Sequence, residues 1–283
     1  MKRPLFNQVA IVGLGLIGGS LALGIRRRRL ARRVIGFSRH QATIRAALAR
    51  GAIHDGDTQL CPEWLRESDL VVIATPPGTV VPLARQIARL TKSSFILTDV
   101  ASTKKEIVRG LEKLPSRISV VGSHPMAGSE RSGIEAAQPD LFEGAPCVVT
   151  RTPRTNAASL KKVDRLWRSV GGRVRRMSPS RHDALVAEVS HAAHLAAAGL
   201  LLASSSKALP LAAGGFSDMT RVALSDPKLW SEIAKTNPKE IARSLNQLVK
   251  KLKFLQELVA SGKMSALKKQ LALAQQRRRQ IKR

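Results

Sequence analysis

The sequence predicts an α/β protein in two parts: a doubly wound parallel sheet with helices on both faces, then an all-helical C-terminal region. Three observations carry that expectation. An apolar run over Val9–Val12 delivers Gly13, Gly15 and Gly18 in the spacing G-x-G-x-x-G. Short apolar runs then alternate with helical periods as far as Met177, and beyond Ser178 helical periodicity continues with no convincing strand. The boundary is placed there, giving 1–178 as a dinucleotide-binding part and 179–283 as a helical part.

The glycines explain themselves physically. The first permits a tight strand-to-helix turn, the second lets the backbone approach a diphosphate, and the third lets the helix pack on the strand. The diphosphate then sits on unsatisfied N–H groups at the helix N-terminus. Val9 to Ile25 also carries no charge between Lys2-Arg3 and Arg26, which is the outline of a signal anchor. Gly13, Gly15, Gly18, Gly19 and Gly24 nevertheless stand where a spanning helix uses larger residues, so the nucleotide reading is preferred and no membrane partner is expected.

Taken in order, Val9–Val12 reads as the first strand and Ser20–Ile25 as helix. Arg33–Ser38 reads as the second strand, and 41–50 as a helix closed by Gly51. Asp69–Thr75 is a buried strand ended by Pro76 and Pro77, before a helix over Val80–Leu90. Phe95–Val100 is a strand, and Ser102–Leu114 a helix with Ser102 as N-cap. Ser119–Ser123 is a strand that stops at His124, because Pro125 denies a ladder donor. A long loop follows, then a strand at Cys147–Thr150, a helix over Ala157–Val170 and a strand over Arg173–Met177. Arg181–Ser206 is a long alanine-rich helix. Asp226 and Pro227 open another, Asn237, Pro238 and Glu240 form a capping box for a third reaching Ala260, and Ser265 caps a fourth. The basic tail from Gln275 reads as a solvated, fraying end.

Composition narrows the function classes. Cys61 and Cys147 are the only cysteines and form no C-x-x-C pair, so a disulfide framework or zinc ribbon is excluded and a reducing cytoplasm fits. The net charge of +28 raises nucleic acid as a partner. Against it stand the absence of Tyr, only three Trp and six Phe, and charge spread along the whole chain. No nucleic-acid partner is expected; steering of anionic small molecules is the alternative use of the charge.

Four further stretches carry chemistry: DVASTK (99–104), GSHPMAGSE (122–130), SHAAH (190–194) and GGFSDMTRVALSDPKLW (214–230). With the glycine turn they make the chain resemble the prephenate and arogenate dehydrogenases of tyrosine biosynthesis over nearly its whole length. The resemblance implies a Rossmann domain, a helical domain forming an intertwined homodimer, and oxidative decarboxylation of prephenate to 4-hydroxyphenylpyruvate with a nicotinamide cofactor. Arogenate is the alternative substrate; His194 inclines the choice toward prephenate. The resemblance makes His124 the base and Ser102 the hydroxyl that bridges it to the nicotinamide. Arg221 takes the ring carboxylate, for which a guanidinium fork is suited. His191 and His194 face the interdomain cleft, and Gly214 and Trp230 line the pocket. The cofactor set is Gly13, Gly15, Leu16, Ile17 and Gly18 at the turn, Ser38 and Arg39 after the second strand, and Thr75 and Pro76 after the third.

Local chemistry stands beside this. A neutral imidazole at a strand end suits a hydroxyl proton. His191 and His194, three apart with Glu188 nearby, also have the spacing of a metal pair, but three oriented ligands are not evident and no metal is expected. A hydroxyacid-type dehydrogenase would use a lysine on the interdomain helix; the first lysine here is Lys207. NAD-specific domains place an acid about 20 residues after the glycines. The segment Phe37-Ser38-Arg39-His40 offers none, and the first acid is Asp55, so NADP is the expected preference with NAD possible. The 283 residues leave no room for an appended ACT-type regulatory domain.

Overall fold

The structure, a computed structural model, describes residues 3–128 and 131–281. Ser129 and Glu130 of the GSHPMAGSE stretch, and Lys282 and Arg283 of the tail, lie outside the described residues. The elements run β1 (Phe6–Val12), α1 (Leu16–Arg27), β2 (Ala31–Phe37), α2 (Gln41–Ala49), β3 (Asp55–Asp57), α3 (Pro62–Glu67), β4 (Leu70–Ile73) and α4 (Pro77–Leu90). Next come β5 (Phe95–Asp99), α5 (Lys105–Leu111), β6 (Ile118–Pro125), β7 (Pro146–Thr150), α6 (Ala157–Ser169) and β8 (Arg173–Met177). From there every described element is helical: α7 (Pro179–Val186), α8 (Ala192–Ala203), α9 (Gly214–Thr220), α10 (Pro227–Thr236), α11 (Pro238–Ala260) and α12 (Met264–Arg279).

The strands form one sheet of eight in the order β3-β2-β1-β4-β5-β6-β7-β8. All pairings are parallel except β6 with β7. Alternation along β1 shows why both faces are covered: Val9 and Ile11 join the core with Leu21, Ile25 and Trp167, whereas Ala10 and Val12 join Val71, Ile73, Val80 and Ile87 on the other face. The chain reverses direction of winding between β1 and β4, which opens the crevice where ligands of such sheets bind.

Several local expectations are corrected. The strand expected to stop at His124 runs on to Pro125, because the antiparallel partner β7 registers His124 on Val148 and Pro125 on Cys147, and the missing donor costs only the last rung. The strand β3, of sequence DGD, and α3 escaped a propensity reading, since Asp and Gly are poor strand formers. The helix α4 starts at Pro77, not Val80, because proline suits a first turn, and Pro82 is carried inside it. Ser102 is not an N-cap: α5 begins at Lys105, and its first N–H groups are taken by a carboxylate from α7. Asn237 makes no capping bond, because its side chain turns inward. Ser265 lies within the first turn of α12 and caps nothing, and the tail expected to fray is helical to Arg279.

The expected long helix is present from Pro179 to Ala203 with a π-helical turn over Ala187–His191. Among the described residues it is the one helix long and apolar enough to cross a membrane. It also buries His182, Asp183, His191 and His194 against the protein, which a lipid-facing helix would not do. A π turn adds one residue to a helical register and is characteristic of functional sites. Here it follows the pair His182-Asp183 and ends on His191, one turn before His194.

Candidate active site

At two of the three glycines of the turn the backbone geometry requires glycine, and at the third the space is open. Gly13 has φ +99°, and a Cβ there would meet the Ala74 carbonyl oxygen at 2.5 Å. At Gly18 a Cβ would come within 1.9 Å of the Gly13 carbonyl oxygen, so only glycine lets α1 pack this close. At Gly15, by contrast, nothing lies within 4 Å. That open space faces the first turn of α1, whose N-cap makes no side-chain hydrogen bond, so its N–H groups are left for an anion. Leu16 and Ile17 begin that helix, and Thr75 and Pro76 lie between β4 and α4. These residues fit a dinucleotide diphosphate.

At the end of β2, Ser38 is half-buried, and Arg39 is exposed with no partner among the described residues. The unanticipated β3 brings an acid to this corner: Asp57 registers opposite Phe37, and its carbonyl accepts the Ser38 N–H at 3.2 Å. The Asp57 carboxylate is turned to the Gln59 N–H at 3.1 Å and to Thr58. The corner is thus less free of acids than its sequence suggests.

The catalytic candidates converge at the junction of β5, β6 and α7. The His124 Nδ1 lies 2.8 Å from His182 Nε2, and His182 Nδ1 lies 2.7 Å from Asp183 Oδ1. Tautomers follow from this chain. The carboxylate can only accept, so His182 carries its proton on Nδ1 and offers the Nε2 lone pair. His124 then donates through Nδ1, and its Nε2 carries an open lone pair with no partner among the described residues. His124 is 7% exposed, which leaves a narrow opening at a group otherwise enclosed.

Asp183 has further work. Its two oxygens accept the Lys104 and Lys105 N–H groups at 2.7 and 2.9 Å, and its carbonyl accepts the Asn237 amide at 3.0 Å. This one residue of α7 therefore fixes His182, closes the N-terminus of α5 and holds the start of α11. The sequence reading missed His182 and Asp183 as site residues; a His-Asp dipeptide in the first turns of the helix was the available signal. Lys104 and Asp99, fully buried, form an ion pair at the end of β5.

Burial holds the histidines neutral. That of His124 is pushed well below the ordinary value, by burial first and then by His182, Lys104 and His191. His182 is lowered by burial against the pull of Asp183, His194 is lowered by burial, and His191 is lowered to about 4, burial again leading.

The other predicted residues group as follows. Ser102 lies in the β5–α5 loop, where its backbone acts on His191, so it is beside the histidine cluster. His191 points Nδ1 toward the Asn237 amide at 3.5 Å, and His194 stacks on Trp230 with centroids 3.5 Å apart and planes at 11°. Glu188 pairs with Arg243 at 3.6 Å, and no cluster of three or more His, Cys, Asp or Glu that could hold a metal ion occurs among the described residues. Trp230 is also edge-on to His191 at 6.0 Å, and it packs against the small helical core of Ala187, Ile233 and Ile241 as well. Arg221 opens a turn, Arg221–Leu224, that packs on α8 beside α9. Gly214 starts α9 with open space where a Cβ would be.

Comparisons with known proteins agree with this arrangement. Residues 21–176 match the family described as prephenate dehydrogenase, nucleotide-binding domain, and residues 178–273 match prephenate dehydrogenase, dimerization domain. The prephenate dehydrogenase of Bacillus subtilis is 34% identical over 254 residues, 87% of this chain and 68% of the relative. Among solved structures, prephenate dehydrogenase from A. aeolicus, in complex with hydroxyphenyl propionate and NAD+, superposes with a TM-score of 0.90 at 31% identity. That match covers 100% of this chain and 99% of the other. The Synechocystis arogenate dehydrogenase superposes with a TM-score of 0.81 at 30% identity, covering 96% and 98% of the two chains. A two-part match over this length, on a sheet and histidine cluster of this form, shows that the chain belongs to the prephenate dehydrogenase family.

Proposed function

We propose that the protein catalyses the oxidative decarboxylation of prephenate to 4-hydroxyphenylpyruvate with a nicotinamide dinucleotide, with 1–178 binding the dinucleotide and 179–283 serving substrate and dimer. The observation that carries this reading is the open Nε2 of His124 at the end of a three-residue relay. When bound, the dinucleotide supplies the hydride acceptor. His124 Nε2 accepts the proton of the ring hydroxyl as the carbon bearing it gives up hydride, and His182 and Asp183 steady the imidazolium that results. Loss of CO2 from the opposite ring carbon restores aromaticity, so the protein needs only to position and polarise. Ser102, in the loop beside His191, is assigned to the nicotinamide side, and His194 stacked on Trp230 is assigned to the wall for the substrate side chain.

Arg221 is assigned to the ring carboxylate. Arg221→Ala is expected to raise KM for prephenate by about 10- to 150-fold, the worth of a charge-assisted contact, with kcat changed less. An unchanged KM would move the carboxylate to another group.

The dinucleotide is NADP in preference to NAD. Exposed Arg39 suits the 2′-phosphate and Ser38 can donate to it, while the Asp57 carboxylate is occupied within its own turn. The test crosses prephenate and arogenate against NADP and NAD, read at the reduced-nicotinamide band. The highest kcat/KM is expected with prephenate and NADP, and Ser38→Asp with Arg39→Ala should shift the preference toward NAD. A wild-type kcat/KM higher with NAD would overturn the cofactor assignment, and turnover of arogenate alone the substrate assignment.

A homodimer is proposed from the helical region. Val249, Leu252 and Val259 of α11, Leu271 of α12 and Leu202 of α8 are exposed, more apolar surface than a helical domain of this size leaves uncovered. Light scattering at micromolar protein should give about twice 30.6 kDa; a monomer mass would contradict it.

A further inference from the structure

We propose that the buried Asp99–Lys104 ion pair is a positioning element of the reaction, folding the loop that presents Lys104 and Lys105 to Asp183 and holding a fixed positive charge behind the His124–His182 relay. The proposal rests on the reading of His124 as the base and extends it to two residues that do not touch the substrate.

The pair is an unusual use of buried space. Lys104 is fully enclosed and among the largest fully buried side chains of the protein. Lysine is almost never buried so completely, and an apolar residue of the same length would fill the volume without losing hydration. A reason based on charge is therefore needed. Asp99 Oδ2 accepts both the Ala101 N–H, at 3.1 Å, and the Lys104 ammonium, so the chain is folded back on itself immediately after β5. Oδ1 has no hydrogen-bond partner. Gly122, two residues before His124, packs beside it: a Cβ there would meet Thr150 Oγ1 at 2.6 Å and Val108 Cγ2 at 2.8 Å, with Asp99 Oδ1 at an ordinary contact distance of 3.4 Å.

Two routes lead from Lys104 to the base. One is mechanical. The Lys104 N–H donates to Asp183 Oδ1, the same oxygen that accepts from His182 Nδ1, and His182 in turn holds His124. The other is electrostatic. The charged and titratable groups that act on His124 are His182 from α7, Lys104 from the β5–α5 segment and His191 from the π turn; Asp99, Asp183 and the Cys147 thiol of β7 act in turn on Lys104. Burial keeps the three histidines low and raises the thiol; it lowers Lys104 as well, but the Asp99 carboxylate paired with it opposes that, and the ion pair makes Lys104 the standing cation of the group. An ammonium beside an imidazole disfavours the second ring proton. It keeps Nε2 open under mildly acidic conditions while Asp183 stabilises the proton once the reaction delivers it.

The charge-neutral double variant Asp99→Asn with Lys104→Met leaves no unpaired buried ion. Removing the cation lets His124 hold a proton at higher pH, so the acid limb of kcat/KM should move upward. At about pH 6 kcat/KM is expected to fall about tenfold below wild type, and at about pH 8.5 to stay within about threefold. A loss by one factor at every pH, with the limb unmoved, would reduce the pair to packing and overturn the proposal. NMR titration of the His124 imidazole in the same variant reads the shift even if His124 is not the base, a failure that His124→Ala would expose separately. Should the double variant not fold, the wild type still decides: the Lys104 side-chain resonances must report an ammonium from about pH 6 to 8, and a neutral amine there would overturn the proposal.

Discussion

Replacing His124 with alanine is expected to lower kcat by about 10^2- to 10^4-fold, the usual worth of a positioned general base, with cofactor affinity nearly unchanged. The side chain sits at the far end of β6, separated from the glycine turn by β4 and β5 in the sheet, so its loss leaves the diphosphate cradle intact. Its removal also leaves His182 Nε2 without a donor in a buried place, and some stability loss accompanies the kinetic one. Single-turnover rates with prephenate and a saturating dinucleotide separate the two effects. A kcat within a few-fold of wild type would remove His124 from the chemistry.

The second large effect is expected at Asp183, 1% exposed and bonded to three donors through its carboxylate. Asp183→Ala strands two backbone N–H groups and one imidazole N–H, and should destabilise the fold by about 3 to 5 kcal/mol, the range for breaking a buried charged network. Asp183→Asn is the more informative change. An amide can present its NH2 to His182, which reverses the His182 tautomer; His124 then meets a donor, turns its own lone pair inward and loses the open Nε2. A fall in kcat of about 10^2-fold or more, with much less loss of stability than in the alanine variant, is therefore expected. Equal kcat in Asp183→Asn and wild type would show that the tautomer is set elsewhere. Thermal unfolding beside steady-state rates checks both halves.

The sheet was legible because its signals are local. Val9 to Val12 ahead of Gly13, and the buried run at the start of β4, need only neighbours to be read, and the glycine spacing states its geometry in residue types. The relay was not legible for the opposite reason. His124 and His182 are 58 positions apart and meet only because β6 and α7 pack together, which no spacing rule encodes. Ser102 was misread as a cap because a Ser ahead of a helical period is normally one, whereas here the capping carboxylate arrives from another element. Asn237 failed in the same way, its amide drawn to the Asp183 carbonyl and toward His191. Both errors mark places where tertiary contacts at the site override a local preference. The motif stretches themselves were readable as a family pattern, and their residues Ser102, His124, His191, His194 and Trp230 do lie on the segments that meet at the junction.

The central claim is that an enclosed, neutral His124 with an open Nε2 takes the hydroxyl proton. The measurement that tests it most directly is the pH dependence of kcat/KM for prephenate between about pH 4.5 and 9. Burial and the neighbouring Lys104 depress the imidazole, so the neutral, active form dominates above its lowered value, and activity is lost only as pH falls through it. The predicted profile is flat through neutrality, with a single acid limb below the ordinary histidine value of 6.5 that vanishes from the residual activity of His124→Ala. An acid limb at or above that value, or one that survives in His124→Ala, would contradict the account.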